Sequence, residues 1–140
     1  QNVESVHIAL MPEPDNSIVT EAEQAKWVKL MALRDEVLRV LEGVRQRQEI
    51  GSNQEAAVCV ATNDQELYGY MNELGASQLA AFLIVSEVKT MQSQDELKVS
   101  AAKSANKKCE RCWNYLPTVG TFGDYDDLCG RCRDVVIAAQ

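Results

Sequence analysis

Four cysteines stand in two pairs near the end of the chain, Cys109-x-x-Cys112 and Cys129-x-x-Cys132, with sixteen residues between the pairs. A C-x-x-C turn is tight enough to aim two sulfurs at one point, and the loop between the pairs brings the second two to it. Four thiolates at about 2.3 Å close a tetrahedron around zinc and leave no position for water, so the chemistry is structural rather than catalytic. Two C-x-x-C pairs are a zinc signature, with disulfides or an iron centre of rubredoxin type as the alternatives. A four-thiolate zinc centre is a net anion, and Lys107, Lys108, Arg111, Arg131 and Arg133 lie beside the ligands, where they offset that charge and favour the thiolates. The segment has too few apolar residues to fold alone, so metal binding must supply most of its folding energy.

The remaining reactive side chains carry less. Cys59 sits in a short apolar run and reads as a small buried hydrophobe. His7 is the single histidine and reads as polar surface. No catalytic set is visible. Trp113, Tyr115, Phe122 and Tyr125 surround the cysteines and read as a miniature core; the functional alternative is that one of them stacks on an unpaired base.

The charge of the chain is −7, which argues against a general binder of polyanions. It is unevenly spread: residues 98–140 carry +2 and residues 1–97 carry −9. Any nucleic-acid surface is therefore local, with the cysteine segment its best candidate. Arg34 and Arg45 are eleven residues apart, close to three helical turns, and share a face. With Lys26, Lys29, Arg39 and Arg47 they form either a solvated face laced with Glu36 and Glu42 or a phosphate-contacting edge.

These groups must be positioned by a chain of 140 residues, enough for one modest core and a small satellite. Residues 1–20 read as an extended lead-in, in which Pro12 and Pro14 block helix. Thr20-Glu21-Ala22-Glu23 is a capping box. Leu30, Leu33, Val37, Val40 and Val44, widened by Trp27, Met31, Leu38 and Leu41, predict a long amphipathic helix over about 21–48, with Gly51 as its stop. Ala56–Thr62 predicts a strand. Asn63 with Glu66 opens a helix that Gly75 closes near Leu74, and a turn of helix at Ser77 precedes a second strand over 81–88. A third strand is expected near Leu97-Lys98-Val99. The expected fold class is α/β: a long amphipathic helix packed on a small α/β unit (residues 21–99), followed by a linker and a C-terminal four-cysteine zinc finger (residues 100–140). Residues 100–108 are small and basic, as a linker is. No apolar run approaches the ~20 residues of a membrane span, and no signal peptide is recognisable. Gln1 is not a start methionine, so a fragment is expected, from a cytoplasmic protein.

Lys108-Cys109-Glu110-Arg111-Cys112-Trp113-Asn114-Tyr115, followed by Leu128-Cys129-Gly130-Arg131-Cys132, resembles the C-terminal zinc finger of bacterial-type isoleucyl-tRNA synthetases. The order C-x-R-C-W-x-Y then C-x-R-C is far more specific than the cysteine spacing. Upstream, Glu4-Ser5-Val6-His7-Ile8 through Met11-Pro12-Glu13 is similar to the segment leaving that family's anticodon-binding bundle. Trp27 and Leu33-Arg34-Asp35-Glu36-Val37 resemble the helix that follows, and Ile50-Gly51 with Glu55-Ala56-Ala57-Val58 a later family stretch. Asn53 and Gln54 depart from the family's Ser-Leu there, so no role is carried onto that turn. The resemblance spans almost the whole chain in consistent order.

The resemblance implies the C-terminal, tRNA-seating piece of an ATP-dependent isoleucine–tRNA ligase, with no catalytic residue of its own. It implies one structural zinc ion on Cys109, Cys112, Cys129 and Cys132, and ATP only in the absent catalytic domain. The implied partners are isoleucine-specific tRNA and the rest of the synthetase chain, with the protein a monomer away from membranes. Arg34, Arg45, Lys107, Lys108, Arg111, Trp113, Arg131 and Arg133 are the candidate RNA contacts. Two rivals remain: a DNA-binding zinc finger region of a formamidopyrimidine-type glycosylase, and a free-standing zinc-stabilised interaction module.

Overall fold

The computed structural model describes residues 5–11, 13, 15 and 19–139. Val6–Ile8 form a 3-10 turn, so the lead-in is not extended throughout, while Pro12 and Pro14 lie outside the described residues.

The long helix, α1, runs Glu21–Gln46. Its N-cap is Thr20, whose hydroxyl accepts from the Glu23 N–H at 3.2 Å. Leu30, Leu33, Val37, Leu41 and Val44 are all at most 1 % exposed and recur at three- and four-residue steps, one continuous stripe. Val40, expected in that stripe, is only half-buried, and Trp27 and Met31 are exposed. The helix ends before Gly51. Gln48 takes the left-handed conformation (φ 60°), and the N–H groups of Gln48 and Glu49 return to the carbonyls of Arg45 and Val44. That pair of bonds satisfies the last carbonyls and stops the helix.

Strand β1, Ala56–Thr62, alternates buried and half-buried residues. Helix α2, Gln65–Leu83, starts one residue later than expected. Asp64, not Asn63, is its cap, and its carboxylate accepts from the N–H groups of Glu66 and Leu67 at 2.9 and 3.0 Å. Gly75 (φ 73°, ψ 159°) breaks the helix as the sequence suggested, but a second helical stretch resumes at once.

That stretch corrects the expected strand over 81–88. Leu79, Ala80 and Leu83 are buried at three- and four-residue spacing, so tertiary packing keeps Ala81-Phe82-Leu83 helical. The chain becomes strand only after Ile84 (φ 58°, ψ 47°) has turned it: β2 is Glu87–Gln92. The third strand, β3, is Lys98–Lys103, so residues 100–103, expected at the start of the linker, belong to the sheet.

The sheet order is β2-β1-β3, with β2 parallel to β1 and β3 antiparallel to it. A parallel pair needs a long crossover, and α2 supplies it. One face of the sheet (Ala56, Val58, Val60 and Val88), together with α1 and α2, forms the main core. A separate small cluster of Cys109, Val119, Leu128, Cys129 and Cys132 forms the core of the C-terminal module. The α/β class and the cysteine module match the sequence reading.

Candidate metal centre

Each cysteine pair is presented by its own small element. The first sits in a tight hairpin. Lys108 and Tyr115 form an antiparallel bridge, and Cys109 donates its N–H to the Asn114 carbonyl at 2.9 Å. The Trp113 N–H returns to the Cys109 carbonyl at 2.8 Å. Trp113 closes this turn in the left-handed conformation (φ 66°), which is uncommon for a bulky residue and holds its side chain 59 % exposed. The second pair opens α3, Gly130–Ala138, with Cys129 at the N-cap. A Cβ at Gly130 would lie 3.5 Å from the Phe122 ring, an ordinary packing contact. The Glu110 N–H to Asp127 carbonyl bond, 3.0 Å, joins the two halves.

The four sulfurs all lie within 4.8 Å of one another, and Cys112 Sγ and Cys129 Sγ are 3.8 Å apart. A tetrahedron with metal–sulfur bonds of about 2.3 Å has edges of about 3.8 Å. The donor set therefore fits zinc, and no disulfide joins these cysteines.

Burial raises the Cys109 thiol, but the N–H groups of Cys112, Cys129 and Arg111 outweigh it and bring the thiol down to about 6. The Cys129 N–H lies 3.3 Å from Cys109 Sγ. Burial, with the neighbouring sulfurs, pushes Cys129 up to about 12, and burial also raises Cys112. Cys109 is thus lowered while Cys112 and Cys129 are raised, and a metal would displace protons from those two.

The predicted cations fall into two groups. Around the finger, Arg111 Nη1 lies 3.7 Å from Cys132 Sγ, and the bond to the Cys132 sulfur holds the Arg131 guanidinium above its ordinary range. Lys108 stands 5.7 Å from the centre of the Trp113 ring and 3.2 Å from Glu110. Arg133 lies over Phe122 at 4.5 Å, and Lys107 is exposed with its side chain across Gly120. The two α1 arginines have partners elsewhere. The Nε of half-buried Arg34 donates to the Phe82 carbonyl at 3.4 Å, and Arg45 bonds Glu42 and Asn53. His7 is exposed.

Of the four aromatics, Tyr125 packs against the finger's cluster, and Phe122 and Tyr115 are half-buried. Trp113 is not part of that core. Sequence reasoning missed Ser86, which is 6 % exposed. Its hydroxyl accepts from the Tyr115 N–H at 2.6 Å and donates to the Gln54 carbonyl, tying the finger to the sheet. A serine after an apolar run gives no signal of that role.

Residues 106–135 match the family described as a zinc finger found in FPG and IleRS. The chain is 37% identical over 143 residues to an isoleucine–tRNA ligase of Staphylococcus haemolyticus, covering 95% of this chain and 15% of that protein. It is 40% identical over 127 residues to the isoleucine–tRNA ligase of Bordetella pertussis, covering 91% of this chain and 13% of that protein. The corresponding figures for the isoleucine–tRNA ligase of Brachyspira hyodysenteriae are 31% over 150 residues, 97% and 15%. The chain thus spans about 15% of the length of the curated relatives it matches.

Proposed function

The chain is related to the isoleucine–tRNA ligases over nearly its whole length, and from that premise we propose that it is the C-terminal, tRNA-seating portion of such an enzyme. It attaches no amino acid itself. The ATP-dependent joining of isoleucine to its tRNA belongs to the remainder of a monomeric, cytoplasmic synthetase. Residues 1–20 lead out of the anticodon-side bundle, 21–103 form the supporting α/β unit, and the zinc module follows the sheet.

In this reading Cys109, Cys112, Cys129 and Cys132 hold one zinc ion, which fixes the finger's shape and takes no part in a reaction. The observation that carries the RNA role is Trp113. A large aromatic is held 59 % exposed by a left-handed turn, with Lys108 beside its ring and Arg111 and Arg131 exposed on the same module. An exposed ring stacks on an unpaired base, a contact open to single-stranded loops and closed to a stacked duplex. Lys107, Lys108, Arg111, Arg131 and Arg133 then meet phosphates. Arg34 and Arg45 already have partners, so replacing them tests the helix edge apart from the finger.

A DNA-reading finger of the glycosylase type shares the cysteine spacing, but the similarity to ligases across nearly the whole chain supports the RNA reading. The test is binding of zinc-loaded protein to isoleucine tRNA and to a DNA duplex at two salt concentrations. Preference for tRNA, with Trp113→Ala weakening it about tenfold, is the expected result. Equal affinity for the duplex, or indifference to Trp113→Ala, overturns the reading.

A further inference from the structure

Between the finger and the second half of α2 lies a cleft of about 540 Å³, within the range of about 300–1,000 Å³ that small ligands occupy. Its walls are apolar: Ala81 and Ile84 on the α2 side and Pro117 on the finger side. Lys89 and Arg131 line it as cations, and Gln54 and Asn114 bring amides. Lys89 is exposed, and no carboxylate among the described residues pairs with it. The lining also holds one carboxylate, Glu87, which bonds the Ser104 hydroxyl at 2.5 Å and keeps its charge, so the cations Lys89 and Arg131 outnumber it two to one. Asn114 follows Trp113 directly, so the same turn that exposes the ring leads into the cleft.

We propose that this cleft takes one unpaired nucleotide of the bound RNA, its base between the Ala81–Ile84 edge of α2 and Pro117, its phosphate on Lys89. The inference rests on the RNA reading above and names a second contact beyond Trp113. Apolar walls suit the faces of a base, the amides suit its edge, and an unpaired cation suits a phosphate. One wall belongs to α2 and the other to the finger, so the nucleotide bridges the two modules and its binding depends on how they dock.

The test uses the full zinc-loaded chain and an isoleucine tRNA transcript. Ala81→Trp fills the cleft from an exposed helical position, and Lys89→Gln removes the cation; neither touches a cysteine or Trp113. Ala81→Trp weakens binding about tenfold with the salt dependence unchanged. Lys89→Gln weakens it and lowers the log–log salt slope by about one unit. Zinc content and melting temperature report that the fold is intact, and Lys89→Gln serves alone if the tryptophan disturbs it. If both variants bind like wild type while Trp113→Ala does not, the cleft assignment fails and the RNA reading stands. Loss in Lys89→Gln with a correctly folded, inert Ala81→Trp also overturns the assignment, because the lysine is then a phosphate contact without a base slot. If the unaltered chain shows no preference for tRNA, both readings fall.

Discussion

The Ser86 hydroxyl accepts a hydrogen bond from the Tyr115 N–H at 2.6 Å, across 29 residues of sequence, while donating to the Gln54 carbonyl. One buried hydroxyl thereby serves the finger hairpin and the turn before β1 at once. Ser86→Ala leaves both backbone groups without this partner, a loss of about 1–3 kcal/mol. Hydrogen exchange at the Tyr115 amide should accelerate while the amides of α1 keep their protection. Unchanged exchange at Tyr115 would show that the finger is held by other contacts.

Removing the metal should affect the two cores differently. The finger's cluster contains three of the four cysteines, whereas the main core contains none. A strong chelator, or Cys112→Ala, should abolish protection in 105–139 and leave most helical circular dichroism intact, since α1 and α2 hold most of the helix. Cooperative unfolding of the whole chain on chelation would contradict this division.

Zinc affinity should depend on pH. Burial raises the Cys129 thiol to about 12 and raises Cys112 as well, while Cys109 is lowered to about 6. At neutral pH the metal must therefore displace protons from at least Cys112 and Cys129, so apparent affinity should rise with pH through the neutral range. Titration against a chelator of known affinity at several pH values measures it. A flat profile would mean that the thiols are already ionised.

Asp64 caps α2 and bonds Lys29 at 2.8 Å, and that bond, with the Leu67 N–H, holds its carboxyl below the ordinary range. A folded-state pKa below the unfolded one gives stability that is fully present above the ordinary carboxylate value. It is lost as pH falls through the lowered one. Asp64→Ala should cost about 1 kcal/mol at pH 7 from the cap, and the wild-type and variant melting curves should converge in acid. A gap that persists at pH 2 would locate the effect elsewhere.

Ile84 ends α2 in the left-handed region at φ 58° while 49 % exposed. A β-branched residue there is strained by about 1–2 kcal/mol, which the burial of about half its surface offsets only in part. Ile84→Gly should raise stability by about 1 kcal/mol net of glycine's added backbone entropy. Denaturant unfolding that moves to lower concentration would refute this.

The sequence alone determined what local rules govern. The Thr20 cap and the stripe from Leu30 to Val44 specify α1, because a helix cap and a 3.6-residue period are both written in neighbouring residues. Two C-x-x-C pairs specify a four-sulfur centre, because so few geometries suit that spacing. Tertiary structure decided where local preference was ambiguous. Ala81-Phe82-Leu83-Ile84-Val85 reads as strand in isolation, yet Leu79 and Leu83 find the core only if the helix continues, and packing outweighs a short β-branched run. Residues 100–103 read as linker because small and basic side chains carry no strand signal. They are strand because β1 offers an unpaired edge that their backbone satisfies. The partners of Arg34 and of Ser86 lie 48 and 29 residues away in the chain. Such contacts arise from the docking of finished elements, which no local pattern encodes.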